Sequence, residues 1–249
     1  MSYLVYCVLN RDRPEPRREL PYLGYPRASI MMRAGELGAV ASEASGADLA
    51  PDLARLLAYS KVVEWYNRDR SVIPMRYGFI LDTLPDMRRL LKDHQREYLQ
   101  LLAELDGCAE MSARVELDEP QPRIGMRPDP ASLLLTRSGG SYHDRPGTAY
   151  LAKRSGYYAD KDDLERLREE ACGAICAFAQ GTFVRYVSEY GERGGKRVLA
   201  LHFLVSRHLI ARFRKALRPL VERDATSITI TGPWPPYNFA RSSAAKLPI

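Results

Sequence analysis

The order of apolar segments after residue 108 constrains this chain more than any other feature. A strand-like run at 109–117 precedes an amphipathic helix pattern over 160–179 that points Leu164, Leu167, Ala171, Ile175 and Phe178 inward. The runs 183–190 and 197–205 then flank Gly191-Glu-Arg-Gly-Gly195, a hairpin signal. A second helix pattern at 207–222 carries Leu209, Ile210, Phe213, Leu217 and Leu220 on one face, and 225–231 closes as a strand. Strand, helix, strand, strand, helix, strand is the split arrangement of a ferredoxin-like sheet. The departure from it is a long insertion at 118–147, rich in proline and carrying Gly139-Gly140.

The first part of the chain has a different pattern. Residues 3–8 are continuously apolar, as in a central strand buried on both faces. Residues 10–27, with five arginines and four prolines, read as an exposed excursion. Short strands follow at 30–33 and 37–42, around Gly35. Pro51 opens a helix expected to place Leu53, Leu56, Leu57, Val63 and Tyr66 on one side. The strand-like run 72–81 is bent or at an edge, because Pro74 lacks a ladder donor. One helix over 83–107 is expected next, opened by Thr83 and Asp86, striped by Met87, Leu90, Leu91, His94, Tyr98, Leu101, Leu102 and Leu105, and stopped by Gly107. The expectation is an α+β chain of two domains. Residues 1–107 form an N-terminal α+β domain, and 108–249 form a modified ferredoxin-like domain with the 118–147 insertion and a terminal Gly-Pro-Trp-Pro-Pro-Tyr-Asn-Phe segment.

Charge separates the same two regions. Residues 1–107 hold 15 basic and 15 acidic side chains, so the net charge of +6 arises from the 22 basic and 16 acidic side chains of the remainder. At 45% hydrophobic and 27% charged, the chain is too apolar for disorder. No run approaches the roughly 18 apolar residues of a spanning helix. The N-terminus has neither a basic n-region nor a small-residue cleavage site. The four scattered cysteines do not make a disulfide framework. These features predict a soluble, cytoplasmic protein.

Convergent catalytic groups are not found. Gly191–Lys196 lacks phosphate-loop spacing, and Arg197 stands where the magnesium-binding hydroxyl should be. Cys172 and Cys176, one helical turn apart, have no second pair at ligand spacing and read as small core residues. Asp160, Asp162 and Asp163 begin like a calcium loop, but Glu165 replaces its turn glycine. His94 and His202 lie in apolar stretches and read as core histidines, and Ser243-Ala-Ala-Lys246 carries no weight. No enzyme activity, cofactor, metal or small-molecule substrate is expected. The alternative reading is an RNA-binding module using the basic half. Such a sheet needs exposed aromatics on its central strands, and 197–205 offers only Phe203, so nucleic acid is not the expected partner.

The segment Thr231-Gly-Pro-Trp-Pro-Pro-Tyr-Asn-Phe239 is the most distinctive in the chain. Three prolines forbid helix and predict a stiff, extended run near polyproline II, bearing the rings of Trp234, Tyr237 and Phe239. Such a run either clamps its own fold or offers rings to a partner at low ordering cost. It resembles the terminal Gly-Pro-Trp-Pro-Pro-Tyr-x-Phe of the gas vesicle proteins GvpF and GvpL. Val72-Ile-Pro-Met-Arg-Tyr-Gly78 is similar to that family's Val-Leu-Pro-x-Arg-Phe-Gly, with Tyr77 in place of Phe. Gly147, Tyr150 and Leu151 match its Gly-x-x-Tyr-Leu, and Phe203-Leu-Val-Ser-Arg207 its Phe/Tyr-Leu-Val-x-Arg. The resemblance implies an accessory or minor structural component of gas vesicle assembly, associated with the vesicle. Its implied partners are the very hydrophobic shell protein GvpA and other gas vesicle accessory proteins. The residues expected to meet a partner are Pro233, Trp234, Pro235, Pro236, Tyr237 and Phe239, with Arg76 second.

Overall fold

The computed structural model describes residues 2–11, 29–44, 52–117, 165–223 and 228–240. The excursion beyond residue 11, the 118–147 insertion, the Gly147–Leu151 element, the acidic run at 160–163 and the tail after Ala240 lie outside the described residues.

Two antiparallel sheets organise the chain, which passes from one to the other at Cys108. At the centre of the first lies β1 (Ser2–Asn10), paired with β3 (Leu37–Ala44) on one side and with the short β4 (Val72–Pro74) and β5 (Ile80–Leu81) on the other. Beyond β3 is β2 (Ser29–Ala34). Cover on both faces explains why β1 is apolar from Tyr3 to Leu9. Leu4, Tyr6, Cys7 and Leu9 pack with α1 (Leu53–Asn67), while Tyr3, Val5 and Val8 pack with α2 (Leu84–Asp93) and α3 (Gln95–Glu104). A bulge between Val5 and Cys7 inserts a residue into the ladder with β3, so Tyr6 and Cys7 share a face. Each aliphatic side chain buried here contributes about 1.5–3 kcal/mol. β4 ends at Pro74, as the missing donor predicts, and β5 resumes the pairing with β1 after a turn in which the Phe79 amide donates to the Arg76 carbonyl at 3.0 Å.

Two helix expectations change. The single helix over 83–107 is two, broken at His94, whose φ of −107° and ψ of 16° leave the helical region. The imidazole turns to Glu97, with Nδ1 to Oε2 at 3.1 Å, and leans on the Tyr98 ring. The predicted start holds, with the Asp86 amide donating to Thr83 Oγ1 at 3.2 Å. In α1 the cap is Asp52, which accepts from the Arg55 amide at 2.8 Å. Its inward face is Tyr59, Val62, Val63 and Tyr66, and Leu53, Leu56 and Leu57 are exposed. Period identifies a helical stripe but not how far the covering sheet extends along it. Here the sheet covers only the later turns.

The second sheet has the order β7 (Arg185–Arg193), β8 (Lys196–Ser206), β6 (Cys108–Leu117), β9 (Ile228–Trp234). β6 and β7, joined through helix α4 (165–178), both run antiparallel to the β8 that separates them, which is the split arrangement expected. Gly194 and Gly195, at φ of 60° and 78°, make the two-residue turn between β7 and β8. Met111, Ala113, Val115, Leu199, Leu201, Phe203 and Val205 face α4 and α5 (Ile210–Arg223), meeting Ile175, Ala179, Phe213 and Leu217 in one core. Phe178 is not inward as expected. It stands off the Ala171–Ile175–Ala179 stripe and is exposed.

Candidate functional site

The terminal run is not the extended polyproline segment that its prolines predict. β9 continues through Gly232 and Pro233, joined by a cis peptide bond, to Trp234, which pairs with Glu110 after a register shift. Only glycine fits at 232, where φ is 112° and a Cβ would stand 2.7 Å from the Glu110 carbonyl oxygen and 2.9 Å from Met111 Sδ. Tight turns follow, the Tyr237 amide donating to the Pro235 carbonyl at 2.8 Å and that of Phe239 to the Pro236 carbonyl at 3.1 Å. The buried Glu110 carboxylate fastens the run, accepting from the Asn238 backbone amide at 2.9 Å and from its Nδ2 at 2.7 Å. An acid at the third position of a largely apolar strand, its nearest strand cation four residues on at Arg114, was the sequence signal for this anchor.

The run returns the chain to its first half. Phe239 is buried in the core that contains Tyr3, Val5 and Tyr98 as well as Cys108 and Leu204, with the Arg185 guanidinium 5.7 Å from its ring centre. Tyr237 packs against the core on the other face of β1, where Tyr77 also packs. Thus two motifs about 160 positions apart in the chain close on one aromatic cluster. Tyr6 and Tyr59 stack at 4.9 Å, Tyr77 meets Tyr59 edge-on at 5.3 Å, and the Tyr59 hydroxyl donates to the Met75 carbonyl at 2.8 Å. Burial pushes the phenols of Tyr6, Tyr59 and Tyr237 and the Cys7 thiol upward. The third motif joins the same junction. Leu204 lies in the core with Phe239, the Arg207 amide donates to the Gly107 carbonyl at 2.8 Å, and the Arg207 side chain donates to the Asn67 carbonyl. The signature residues therefore fasten the two sheets together.

The residues expected to meet a partner are exposed to different degrees. Pro235, Pro236 and Phe239 are buried, and Tyr237 is largely covered. Trp234 is 43% exposed, with Nε1 donating to Thr231 Oγ1 at 3.3 Å, and Pro233 beside it is exposed. Arg76 is exposed in the β4–β5 turn, and its guanidinium makes no ion pair among the described residues. Periodicity had assigned Leu53, Leu56 and Leu57 to the core. They form an apolar strip at the start of α1, with Leu53 73% exposed.

One constellation resembles catalytic machinery and does not have its geometry. Ser112 Oγ lies 2.9 Å from His202 Nδ1, and Glu110 Oε1 lies 3.2 Å from the same nitrogen. A nucleophile and an orienting acid must use opposite nitrogens of the ring. Here Ser112 and Glu110 converge on one, and the exposed Glu189 carboxylate stands 3.9 Å from the other, beyond hydrogen-bond reach. Ser112, His202 and Glu110 are buried, the histidine held as part of the Glu110 anchor. Cys172 and Cys176 are half-buried beside Tyr186, whose hydroxyl Cys172 Sγ approaches at 3.7 Å, and burial pushes the Cys176 thiol up to about 11. Among the described residues no His/Cys/Asp/Glu group could hold a metal ion, and no helix is long and apolar enough to cross a membrane. A cleft of about 230 Å³ between Arg70 and Asp106 is below the usual size of a ligand pocket, and a groove of about 390 Å³ beside α2 is open to solvent. The sheet face turned away from α4 and α5 carries Glu110, Ser112, Arg114 and Glu116 on β6, and Val198, Ala200, His202 and Leu204 on β8. Its central strands β6 and β8 present no exposed ring, Phe203 is buried on the opposite face, and the half-exposed Trp234 lies at the β9 edge beside Glu110.

Comparisons with known proteins agree with the motifs. A family profile described as gas vesicle synthesis protein GvpL/GvpF matches residues 2–241. Gas vesicle protein F of Streptomyces sp. (strain CB03234) is 24% identical over 247 residues, covering 96% of this chain and 99% of that protein. Gas vesicle protein L of the same strain is 28% identical over 223 residues, covering 84% and 82%. The crystal structure of GvpF from Microcystis aeruginosa superposes with a TM-score of 0.74 at 14% identity, and that of GvpF from Anabaena sp. PCC7120 with 0.69 at 16%. Each covers 97% of this chain and 99% of the solved one, and at these identities the likeness establishes the fold. A match over nearly the whole chain, carried by motifs that meet at one junction, places this protein in the gas vesicle GvpL/GvpF family.

Proposed function

We propose that this protein acts in gas vesicle assembly by binding the hydrophobic shell protein GvpA, and with it other gas vesicle proteins, through non-covalent apolar contacts in the cytoplasm. It would hold shell subunits soluble or help to nucleate the shell. The observation that carries this reading is the half-exposed Trp234 ring on an otherwise buried and anchored terminal segment. An indole on a backbone already fixed by Glu110 loses little freedom on binding, and tryptophan is among the commonest anchors of protein interfaces. The exposed Leu53–Leu57 strip supports the reading, because apolar clusters left on a surface mark interaction sites.

Co-expression of the tagged chain with GvpA tests it. The wild-type chain should carry GvpA through purification. Trp234→Ala should lower the recovered GvpA several-fold while shifting the thermal midpoint by no more than about 2 °C, the effect of a substitution outside the core. Recovery unchanged by Trp234→Ala would remove the indole from the site, and no recovery by the wild-type chain would remove GvpA as its partner.

A further inference from the structure

The two edges of the second sheet are built differently. At β9 the ladder shifts register opposite Glu110 and Ser112, and Pro233 has no N–H to offer. β7 pairs with β8 without a shift from Arg185↔Leu204 to Arg193↔Lys196, and it contains neither proline nor lysine. All nine of its residues are exposed. The two-residue turn makes Arg193 and Lys196 a hydrogen-bonded pair, so alternation directs the odd-numbered backbone groups of β7 to β8. The N–H and C=O groups of Tyr186, Ser188, Tyr190 and Glu192 therefore point away from the sheet, and among the described residues no strand pairs with them. A long, regular edge without a bulge, proline or lysine is a template for another strand.

The side chains narrow what fits. Tyr186 and Tyr190 flank Ser188 on the helix side, each about two-fifths exposed, with Tyr186 against Phe183 and Phe203. Arg185 and Arg193 are balanced by Glu189 and Glu192, so the edge selects neither an acidic nor a basic partner. We infer that β7 is a docking edge for an extended, uncharged, apolar segment of the shell protein, which adds as a fifth strand and packs beside Tyr186 and Tyr190. This rests on the reading of the preceding subsection and assigns it a second contact, apart from Trp234. Only an extended backbone can answer the outward row of donors and acceptors, and only an apolar strand gains from the two rings.

The test compares wild type, Ser188→Pro and Tyr190→Lys in the GvpA co-purification, with hydrogen exchange on the wild-type complex. Proline at 188 removes an outward N–H and no bond to β8, and lysine at 190 puts a charge where the strand must pack. Both variants should recover at least ten-fold less GvpA with thermal midpoints near that of wild type, and the amides of Tyr186, Ser188, Tyr190 and Glu192 should exchange more slowly in the complex. Equal recovery by the variants would overturn the docking edge and leave the shell-protein reading standing. No recovery by the wild-type chain would overturn both. If Ser188→Pro fails to fold, Tyr190→Lys decides by the same criterion. A wild-type chain that doubles its mass with concentration, and loses this in Ser188→Pro, would give the edge to a second copy and overturn the inference.

Discussion

Helices cover both faces of the first sheet and, among the described residues, only one face of the second, and this difference separates the parts of the molecule that hold it together from those that stay exposed. In the first half β1 lies between α1 on one side and α2 and α3 on the other, and seven of its nine residues are buried. In the second half the helices cover one face, the opposite face carries the Glu110–His202 anchor, and edge strand β7 is exposed along its whole length. The terminal segment belongs to both regions. Its Phe239 and Tyr237 complete the cores beside β1, and its Trp234 stays on the open side. On the function proposed above, this short segment is a clamp at Tyr237 and Phe239 and a handle at Trp234.

The largest effect expected is on the clamp. Phe239→Ala leaves a ring-sized hole where the two halves meet and should cost about 3–5 kcal/mol, read as a lowered denaturant midpoint. If its cost matches that of Trp234→Ala, the two rings are not doing different work. Glu110→Ala comes next. It removes the acceptor for both Asn238 donors and for His202, and should cost about 2–3 kcal/mol in the same titration. A loss well below that would mean that the turns at Pro235 and Pro236 hold the segment without it.

Alkaline pH separates the halves by a smaller margin. An unfolded cysteine releases its proton near 9.0 and a tyrosine near 10.0, while burial holds the native protons of Cys7, Tyr6, Tyr59 and Tyr237 to higher pH. Above pH 9 the unfolded chain therefore binds fewer protons than the native one, and stability falls as pH rises. Between pH 7 and 8 these groups contribute no slope. Each adds at most about 1.4 kcal/mol per pH unit within its window, and Tyr59→Phe should flatten the decline measured by urea unfolding at pH 8, 9, 10 and 11. All four sit at β1 and its junction, whereas in the second half burial pushes the Cys176 thiol up to about 11, so a Cys176→Ser variant that flattens the decline as much as Tyr59→Phe would break the comparison.

Much of this architecture was legible in the residues because it is local. The alternation of strand and helix patterns after 108 predicts the split sheet, the unbroken apolar run at 3–8 predicts a strand covered on both faces, and Pro74 predicts that 72–81 is bent or at an edge, where the structure has the two short strands β4 and β5. The misses come from contacts between distant positions. Leu53 and Leu57 lie on a helical stripe, but whether a stripe is covered depends on where the sheet ends beneath it. Three prolines dictate stiffness, yet which rings of 234–239 point inward is decided by Glu110, some 128 residues earlier. His94 is the local exception: its ring turns to Glu97 and Tyr98, one turn on, where the periodic pattern runs unbroken.

Of the chain's two tryptophans, Trp65 is buried in α1 and Trp234 is the half-exposed one. Trp65→Phe therefore leaves Trp234 as a lone reporter at the proposed contact. Titrating that variant with GvpA in mild detergent and following indole emission addresses the central claim most directly. The account predicts a shift to shorter wavelength that saturates with GvpA and is absent with detergent alone. Emission that stays at its solvent-exposed wavelength while GvpA demonstrably binds would contradict it.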